Sequence, residues 1–512
     1  MSNNVVVNKS EKVVANESES ESESGLKRSL KPRHMNMIAI GGAIGTGLFF
    51  TCGNAVSSSG PGGAIVAYGI MGILVFFLMT SLGEMATLIP SAGSFETYAS
   101  RFIDPALGFA LGWNYWFNWA ITVAAELVAA GLVIKFWLPN TQTTFWSIGF
   151  LIILVSLNLM SARAYGEGEF WFASIKVVTI IVFLIVGVLM IFGIMGGHSI
   201  GFSNWVINDG KGHAAPFVGG GIAILSGFLV AGFSFAGTEV VGLAAGESEN
   251  PEKDVPKAIN TVFWRILIFY IGAIAVISFI IPFTDHNLLK NSVSDVAFSP
   301  FTMVFQRSGI AAAASIMNAV ILTSVLSCGN SGLYAGSRMI YAMAKEGKAP
   351  KCFGKLNKRG VPTNALILTA AVASTAFLAS LVGDGKIYYI LYNLSGITIF
   401  IAWLGIAVCH YRFRKAYVAQ GRKIEDLKYK ALWYPFGPIF ALILCVVVLF
   451  GANIWVFKAA TFSWFDFITN YGIILVVIGF YLGYKIVNKT KIVPLKECNF
   501  ELRECEKSNN KN

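Results

Sequence analysis

The amino-acid sequence predicts an all-α protein that crosses a membrane many times. Of its 512 residues, 55% are hydrophobic and only 13% are charged, whereas soluble proteins carry about 25% charged residues. The apolar residues are gathered in long segments, and clusters of glycine interrupt two of these segments. Composition and segment length define the fold class, and the two interruptions indicate where a site lies.

Twelve apolar segments are long enough to cross a bilayer as helices, which takes about 20 residues. They cover approximately residues 36–56, 62–88, 105–136, 144–162, 169–196, 216–243, 258–283, 302–342, 363–383, 388–410, 433–456 and 468–487. The third and the eighth exceed the minimum length, and we expect them to tilt or to extend beyond the bilayer.

Lysines and arginines are distributed unevenly between the two sides of these segments. Most follow the N-terminal tail, the eighth segment or the tenth segment (Lys27, Arg28, Lys31, Arg33, Lys345, Lys348, Lys351, Lys355, Lys358, Arg359, Arg412, Arg414, Lys415, Arg422, Lys423, Lys428 and Lys430). Because positive residues collect on the cytoplasmic side of a membrane, both termini are predicted to be cytoplasmic. The expected surrounding is the lipid bilayer of a cell membrane.

The net charge of +11 is therefore mainly a signal of topology. A nucleic-acid partner is not expected, because the basic residues lie in short connections and form no continuous basic face. The seven cysteines show no Cys-x-x-Cys spacing, so neither a metal site, a cofactor nor a disulfide framework is predicted. The polar residues 1–25 are predicted to be a disordered tail.

The first and the sixth segments contain matching interruptions. Gly41, Gly42, Gly45 and Gly47 crowd the first, and Gly-Phe-Ser-Phe-Ala-Gly-Thr-Glu at 232–239 interrupts the sixth. An offset of five crossings reverses direction through the membrane, so the two breaks occupy mirrored positions in inverted halves. Paired interrupted segments of this kind point to a transporter site near the membrane midplane.

Two other interpretations of the glycines are weaker. Either break alone is explained by close helix packing, since Gly41 and Gly45 have small-xxx-small spacing, but packing does not explain the matched offset. A dinucleotide-binding loop requires G-x-G-x-x-G between a strand and a helix. Here the order is G-x-x-G-x-G inside an apolar segment, which excludes that loop.

Opened backbone at a break suits a substrate that carries two charges. The helix half after a break offers N–H groups and partial positive charge to a carboxylate, and the half before it offers carbonyls to an ammonium. A molecule with both groups on one carbon is an amino acid.

Several ordered motifs resemble the amino acid permease family of the amino acid–polyamine–organocation superfamily. They are IAIGGAIGTGLF (38–49), SSSGPGGA (57–64), SLGEMATLIPSAGSFETYASRF (81–102), GFALGWNYWFNWA (108–120), GFSFAGTEVVGLAAGESENP (232–251) and NSGLYAGSRMIYAMAKEGKAP (330–350). GWNYWFNWA, PFTDHNLLKN and AWLGIAVCHYRFRKAYVAQG are most similar to bacterial lysine-specific members of that family.

The resemblance implies a transporter fold with a five-plus-five inverted repeat, discontinuous first and sixth helices and two peripheral helices. We accordingly expect a tail at 1–25, the first repeat at 26–200, the second repeat at 201–412, two further helices at 413–490 and a cytoplasmic tail at 491–512.

The first break is expected to hold the charged groups of the amino acid. The N–H groups of Gly45, Thr46 and Gly47 are predicted to bind the α-carboxylate, and the carbonyls near Ala43 and Phe233 the α-ammonium. The ring of Phe233 lies at the second break, where it is predicted to close over the substrate.

Two acidic residues are candidates for the side chain of the substrate. Ionisable groups inside membrane segments are costly and are functional candidates by default, and Glu126 lies midway along the third segment. Glu239 follows the second break and is expected to accept from the substrate ammonium, to carry a proton or to cap freed N–H groups. Tyr115 and Trp119 share one helix face, which the resemblance places toward the site.

Lys176 is the candidate for proton coupling, together with Glu239. Related permeases hold a lysine on the fifth helix where sodium-driven relatives bind sodium, and snorkelling to the surface is the simpler alternative. Glu84 and Glu247, near cytoplasmic ends, are predicted to form gate or structural ion pairs with Arg101, Arg163 or Arg338.

The sequence therefore predicts a non-enzymatic importer of L-lysine with protons in a bacterial cytoplasmic membrane. A permease or exchanger of broader specificity for cationic or neutral amino acids remains the main alternative. A lysine-sensing receptor is less favoured, because the tails are short and low in complexity.

Overall fold

The apolar segments form helices because backbone N–H and C=O groups away from water must hydrogen-bond within their own segment. The computed structural model describes residues 26, 29–42, 44–197, 199–210, 212–290, 299–310, 312–378, 381, 383–458 and 461–501. The predicted tail at 1–25 lies outside the described residues, as does Ala43. Within the described part, regular structure is helical and β-pairing is limited to two isolated bridges.

The helices are numbered here in chain order. In the first half they are α1 (Pro32–Met37), α2 (Cys52–Leu88), α3 (Phe95–Phe102), α4 (Pro105–Ile134), α5 (Thr143–Asn158), α6 (Ala162–Ile191), α7 (Gly220–Phe235) and α8 (Val240–Ala244). In the second half they are α9 (Pro251–Trp264), α10 (Gly272–Ile280), α11 (His286–Lys290), α12 (Pro300–Arg307), α13 (Ala313–Lys345), α14 (Thr363–Ala373), α15 (Asp384–Ala419), α16 (Phe436–Gly451), α17 (Trp455–Lys458) and α18 (Trp464–Asn488). π-helical turns continue α1 over Ile38–Gly42, precede α2 over Gly47–Thr51 and join α9 to α10 over Arg265–Ile271.

The chain is a multi-pass membrane protein. Among the described residues, nine helical stretches are long and apolar enough to cross a membrane, and two shorter apolar helices, Thr143–Asn158 and Thr363–Leu378, accompany them. The first stretch, Pro32–Leu88, has 57 residues, far more than the roughly 20 that one crossing needs. The helical fold class is confirmed, and the count of twelve crossings stays a prediction.

The boundary between the first two predicted segments is a sharp kink instead of a loop. Gly60 lies inside α2 with φ 76° and ψ 173°, followed by Pro61, which lacks an N–H. A distant connection repairs the opened turn, because Pro216 accepts from Gly62 N (2.9 Å) and Val218 N donates to the Ser59 carbonyl (2.9 Å). The helix therefore bends at one residue without leaving these backbone groups unpaired.

The eighth predicted segment, 302–342, is wrong as a single helix. The structure divides it into α12 and α13, and Gly309 between them has φ +78°. This left-handed conformation ends a helix and favours glycine. The polar residues Gln306, Arg307 and Ser308 directly before the glycine interrupt the apolar run, and they were a local signal for the turn.

Helix α4 forms the centre of the bundle. It packs against α13 and α15, and α18 covers part of it from outside. Its polar residues are paired across these contacts, since Asn114 donates to the Thr398 carbonyl (2.8 Å) and Asn118 to the Thr398 hydroxyl (2.8 Å). The candidate residues of α4 are therefore held on a buried helix.

Buried ion pairs connect helices at the end predicted to face the cytoplasm. Arg338 donates to Glu247 (2.9 Å), which confirms one of the predicted pairs. Glu84 pairs with Arg414 instead of the expected partners and also accepts from Ala431 N (2.5 Å). Arg414 lies on α15, so the pair links α2 to α15.

The C-terminal segment is docked against the same end of the bundle. Val493 N donates to the Ile103 carbonyl (2.8 Å), and the ring of Phe500 packs on Phe102 and Phe413. This part of the predicted 491–512 tail is therefore attached to the ends of α3 and α15, and residues 502–512 lie outside the described part.

We expect Glu84→Gln to lower stability strongly. The substitution leaves the Arg414 guanidinium buried beside a neutral amide, and breaking a buried pair in this way costs about 3–5 kcal/mol. Thermal unfolding of the purified protein in detergent measures the loss.

Glu252→Gln is the matched control, because the Lys428–Glu252 pair is exposed and exposed pairs contribute little. Equal losses of stability in the two variants would contradict the importance assigned to the buried pair.

Candidate functional site

The two helix breaks lie directly against each other. The Ser234 hydroxyl, one turn before the second break, donates to the Gly47 carbonyl after the first break (2.6 Å). A Cβ on Gly47 would lie 2.5 Å from the Ser234 Cα, so only glycine permits this approach. The prediction that the two interrupted segments form one site therefore has a geometric basis in a backbone contact.

Glu126 reaches the opened backbone of the first break from α4. Its carboxylate accepts from Thr46 N (3.2 Å to Oε1) and from the Thr46 hydroxyl (2.9 Å). A Cβ on Gly45 would lie 2.6 Å from Glu126 Oε1. The glycine thus admits the carboxylate to a freed N–H group at the start of a helix, where negative charge is favoured.

Glu239 pairs with a backbone N–H group that the second break leaves free. Its Oε1 accepts from Gly237 N (3.1 Å) and from the Tyr115 hydroxyl (2.9 Å), and its Oε2 accepts from the Trp403 indole N–H (3.2 Å). Gly237 has φ +89°, which explains a glycine at this turn. Of the three roles expected for Glu239, the contacts correspond to capping a freed N–H group.

Lys176 contacts the end of the first helix half. Its buried ammonium donates to the Gly41 carbonyl (2.9 Å) and to the Ser327 hydroxyl (2.9 Å), and it lies 3.8 Å from a Glu169 carboxylate oxygen. Ser327 in turn donates to Glu169 (2.7 Å). The side chain is fully buried, so it does not snorkel to the surface.

Arg265 is a second buried cation on the same stretch of backbone. It donates to the Ala39 carbonyl (2.8 Å) and to the Tyr270 hydroxyl (2.7 Å). Among the described residues, no carboxylate lies within 4 Å of its guanidinium. Two cations therefore bind carbonyls of Ala39 and Gly41, at the helix C-terminus where positive charge is favoured.

A small cavity lies between the breaks and α4. Its lining consists of Gly45, Gly47, Asn118, Trp119, Thr122, Glu126, Phe233, Ala236 and Cys328. Its volume of about 10 Å³ is roughly that needed for a single water molecule. An amino acid does not fit in this closed arrangement.

The predicted residues divide around this cavity. Gly45, Gly47, Trp119, Glu126 and Phe233 line it. Within the described part of the chain, the remaining ones contact the lining residues or the helix ends instead: Thr46 binds Glu126, Tyr115 binds Glu239, and Lys176 binds Gly41. Trp119 also carries a buried indole N–H without a hydrogen-bond partner among the described residues.

Sequence reasoning missed Glu169 and Arg265. Glu169 precedes Lys176 by seven residues, which places both on one face of α6 after two turns, and this spacing was a usable signal. Arg265 is an arginine inside an apolar segment, so the rule that identified Glu126 and Lys176 applies to it as well.

Paired helix breaks that meet at a cavity inside a multi-pass bundle define a class of protein, the membrane transporters of small molecules. The family model for amino acid permeases matches residues 34–497, and the chain belongs to that family.

Individual relatives extend this comparison over nearly the whole chain. The lysine-specific permease LysP of Escherichia coli (strain K12) is 52% identical over 478 residues, 93% of this chain and 96% of the relative. LysP of Lactococcus lactis subsp. cremoris (strain MG1363) is 52% identical over 489 residues, 95% of each chain. The histidine permease HisP of the same organism is 49% identical over 479 residues, 93% of this chain and 98% of the relative.

We expect Gly47→Ala to separate the two breaks. The added methyl group meets the Ser234 backbone, which has no flexible end to move aside, and overpacking of this kind costs about 1–3 kcal/mol or more. Thermal unfolding and ligand binding by the purified protein should both be impaired.

The control is Gly69→Ala on α2, where a Cβ meets no atom within 4 Å. Alanine is the better helix former by up to about 1 kcal/mol, so stability should be unchanged or slightly higher. A Gly47 variant as stable as the Gly69 variant would refute the close approach.

Proposed function

We propose that the protein imports L-lysine together with protons, by alternating access, across a bacterial cytoplasmic membrane. Membership of the amino acid permease family supports transport of an amino acid. The names of two relatives at 52% identity support lysine. The observation that carries the proposal is the buried carboxylate of Glu126, which lines the cavity between the two breaks.

The proposed architecture has twelve crossings, with inverted repeats at 26–200 and 201–412 and both termini cytoplasmic. The contact between Ser234 and Gly47 supports the pairing of the first and sixth segments. The two short apolar helices and the long first stretch supply the remaining crossings. The bias of lysine and arginine supports the orientation.

In the proposed binding mode, the N–H groups of Gly45, Thr46 and Gly47 bind the α-carboxylate. Carbonyls near Ala43 and Phe233 bind the α-ammonium, and Glu126 pairs with the side-chain ammonium. Phe233 and Trp119 line the cavity and cover the apolar part of the substrate. Because the cavity is now too small for lysine, binding requires the helices around the breaks to move apart, as alternating access does.

Lys176 is the proposed coupling residue. Its ammonium joins the Gly41 carbonyl to Ser327 on α13, so its charge state affects a contact between the first break and a different helix. Loss of the proton weakens that contact, because a neutral amine is a poorer donor than an ammonium. Glu239, which holds the second break, contributes to the same rearrangement.

Histidine transport is the second candidate, because HisP is 49% identical over nearly the same length. Competition between unlabelled histidine and radiolabelled lysine distinguishes the two candidates. A lysine site should favour lysine, since an imidazole is only partly charged near neutral pH.

The central experiment is uptake of radiolabelled L-lysine into proteoliposomes under an imposed pH gradient, with and without sodium. We expect accumulation that depends on the gradient and not on sodium, with unlabelled histidine and leucine competing weakly. Absence of gradient-driven accumulation would overturn the proposed function.

Lys176→Ala should abolish gradient-driven accumulation and retain exchange of internal for external lysine, because exchange needs no net proton movement. Lys257→Ala, which removes an exposed lysine of α9, should leave both activities unchanged. Concentrative uptake by the Lys176 variant would exclude this residue from coupling.

A further inference from the structure

Glu126 occupies a backbone donor that the proposed function assigns to the substrate. Thr46 N is one of the groups proposed to bind the α-carboxylate, and in the closed cavity it donates to the carboxylate of Glu126. We propose that Glu126 is an internal competitor for the carboxylate site, which an incoming amino acid displaces. This inference rests on the proposed function and deepens it.

The position that the Glu126 carboxylate occupies, beside Gly45 and Thr46, suits any carboxylate. The Thr46 hydroxyl provides a second donor at 2.9 Å, so Glu126 Oε1 receives an N–H and an O–H from one residue at a helix start. Gly45 leaves the space that Oε1 fills, and a Cβ there would lie 2.6 Å away. A substrate carboxylate in this position gains the same hydrogen bonds, so the carboxylates of Glu126 and of the substrate exclude each other.

The size of the cavity has the same consequence. Gly45 and Glu126 both line the cavity, and the volume left between the lining residues is about 10 Å³. A substrate that reaches the first break therefore has to move Glu126 away from Thr46.

Displacement leaves Glu126 without a resident counter-charge. Within the described part of the chain, no lysine, arginine or histidine lies within 4.0 Å of its carboxylate. The nearby titratable groups are Cys328 on α13, Lys176 on α6 and Tyr388 on α15, and the Lys176 ammonium is already bound to Gly41 and Ser327. A buried carboxylate that loses its partners is strongly destabilised.

The substrate itself supplies the missing charge. The side-chain ammonium of lysine pairs with the displaced carboxylate, whereas a neutral amino acid of the same length leaves it unpaired. Selectivity for a cationic side chain thus arises from a penalty against neutral substrates as well as from attraction to cationic ones.

The test compares L-lysine with L-norleucine, which has the same length and lacks the ammonium. Binding of each to the purified full-length protein is measured by calorimetry in detergent. In Glu126→Gln, norleucine should bind about tenfold more tightly and lysine about tenfold more weakly than in the wild type, because the variant no longer leaves a buried charge unpaired beside norleucine and no longer pairs with the lysine ammonium. Glu252→Gln, an exposed carboxylate paired with Lys428, should change neither affinity.

Two other results would overturn the proposal that Glu126 competes for the carboxylate site. If Glu126→Gln binds both ligands equally more weakly, Glu126 only stabilises the break. If it binds lysine more weakly and norleucine with unchanged affinity, Glu126 only contacts the ammonium. If Glu126→Gln does not fold, Glu126→Asp is used instead, because it keeps the charge and shortens its reach. Both ligands should then bind more tightly than to the wild type. If neither affinity increases, the proposal is overturned.

The proposed function is tested separately by the wild type. A wild-type protein that binds no lysine refutes the lysine assignment, whereas an unchanged preference between lysine and norleucine in the variants refutes only the competitor.

Discussion

An opened helix inside a membrane has to find partners for its free backbone groups within the protein, and this constraint organises the centre of the molecule. Glu126 accepts from the N–H of Thr46, and Glu239 accepts from that of Gly237. Lys176 and Arg265 bind the carbonyls of the first half-helix. The buried charges follow the polarity of the opened backbone, with carboxylates at N–H groups and cations at carbonyls.

The helical fold was predictable because a bilayer leaves a long apolar segment few alternatives. Local sequence was sufficient for most segments and failed where distant residues decide the conformation. The kink at Gly60 is completed by Pro216 and Val218, far away in the chain. The turn at Gly309, by contrast, follows the polar residues Gln306, Arg307 and Ser308, which were a local signal for a break. The contacts at Gly60 leave no periodic signal in the sequence.

The site was predictable as a set of residue types and less so as a set of pairs. Glycine clusters identified both breaks, and intramembrane charge identified Glu126 and Lys176. The partner of each charge depends on which helices approach, and Glu126 meets a residue 80 positions away. The same rule of intramembrane charge applies equally to Arg265, so the sequence contains the information that identifies it.

The central position of α4 also imposes an order on biosynthesis. This helix leaves the ribosome long before α13, α15 and α18, which later surround it. During that interval Asn114, Asn118 and Glu126 are already committed to an apolar segment, while Thr398, the partner of both asparagines, has not been made. The growing chain must therefore be kept beside the insertion machinery, or shielded by earlier helices, until its last third arrives to complete the polar contacts.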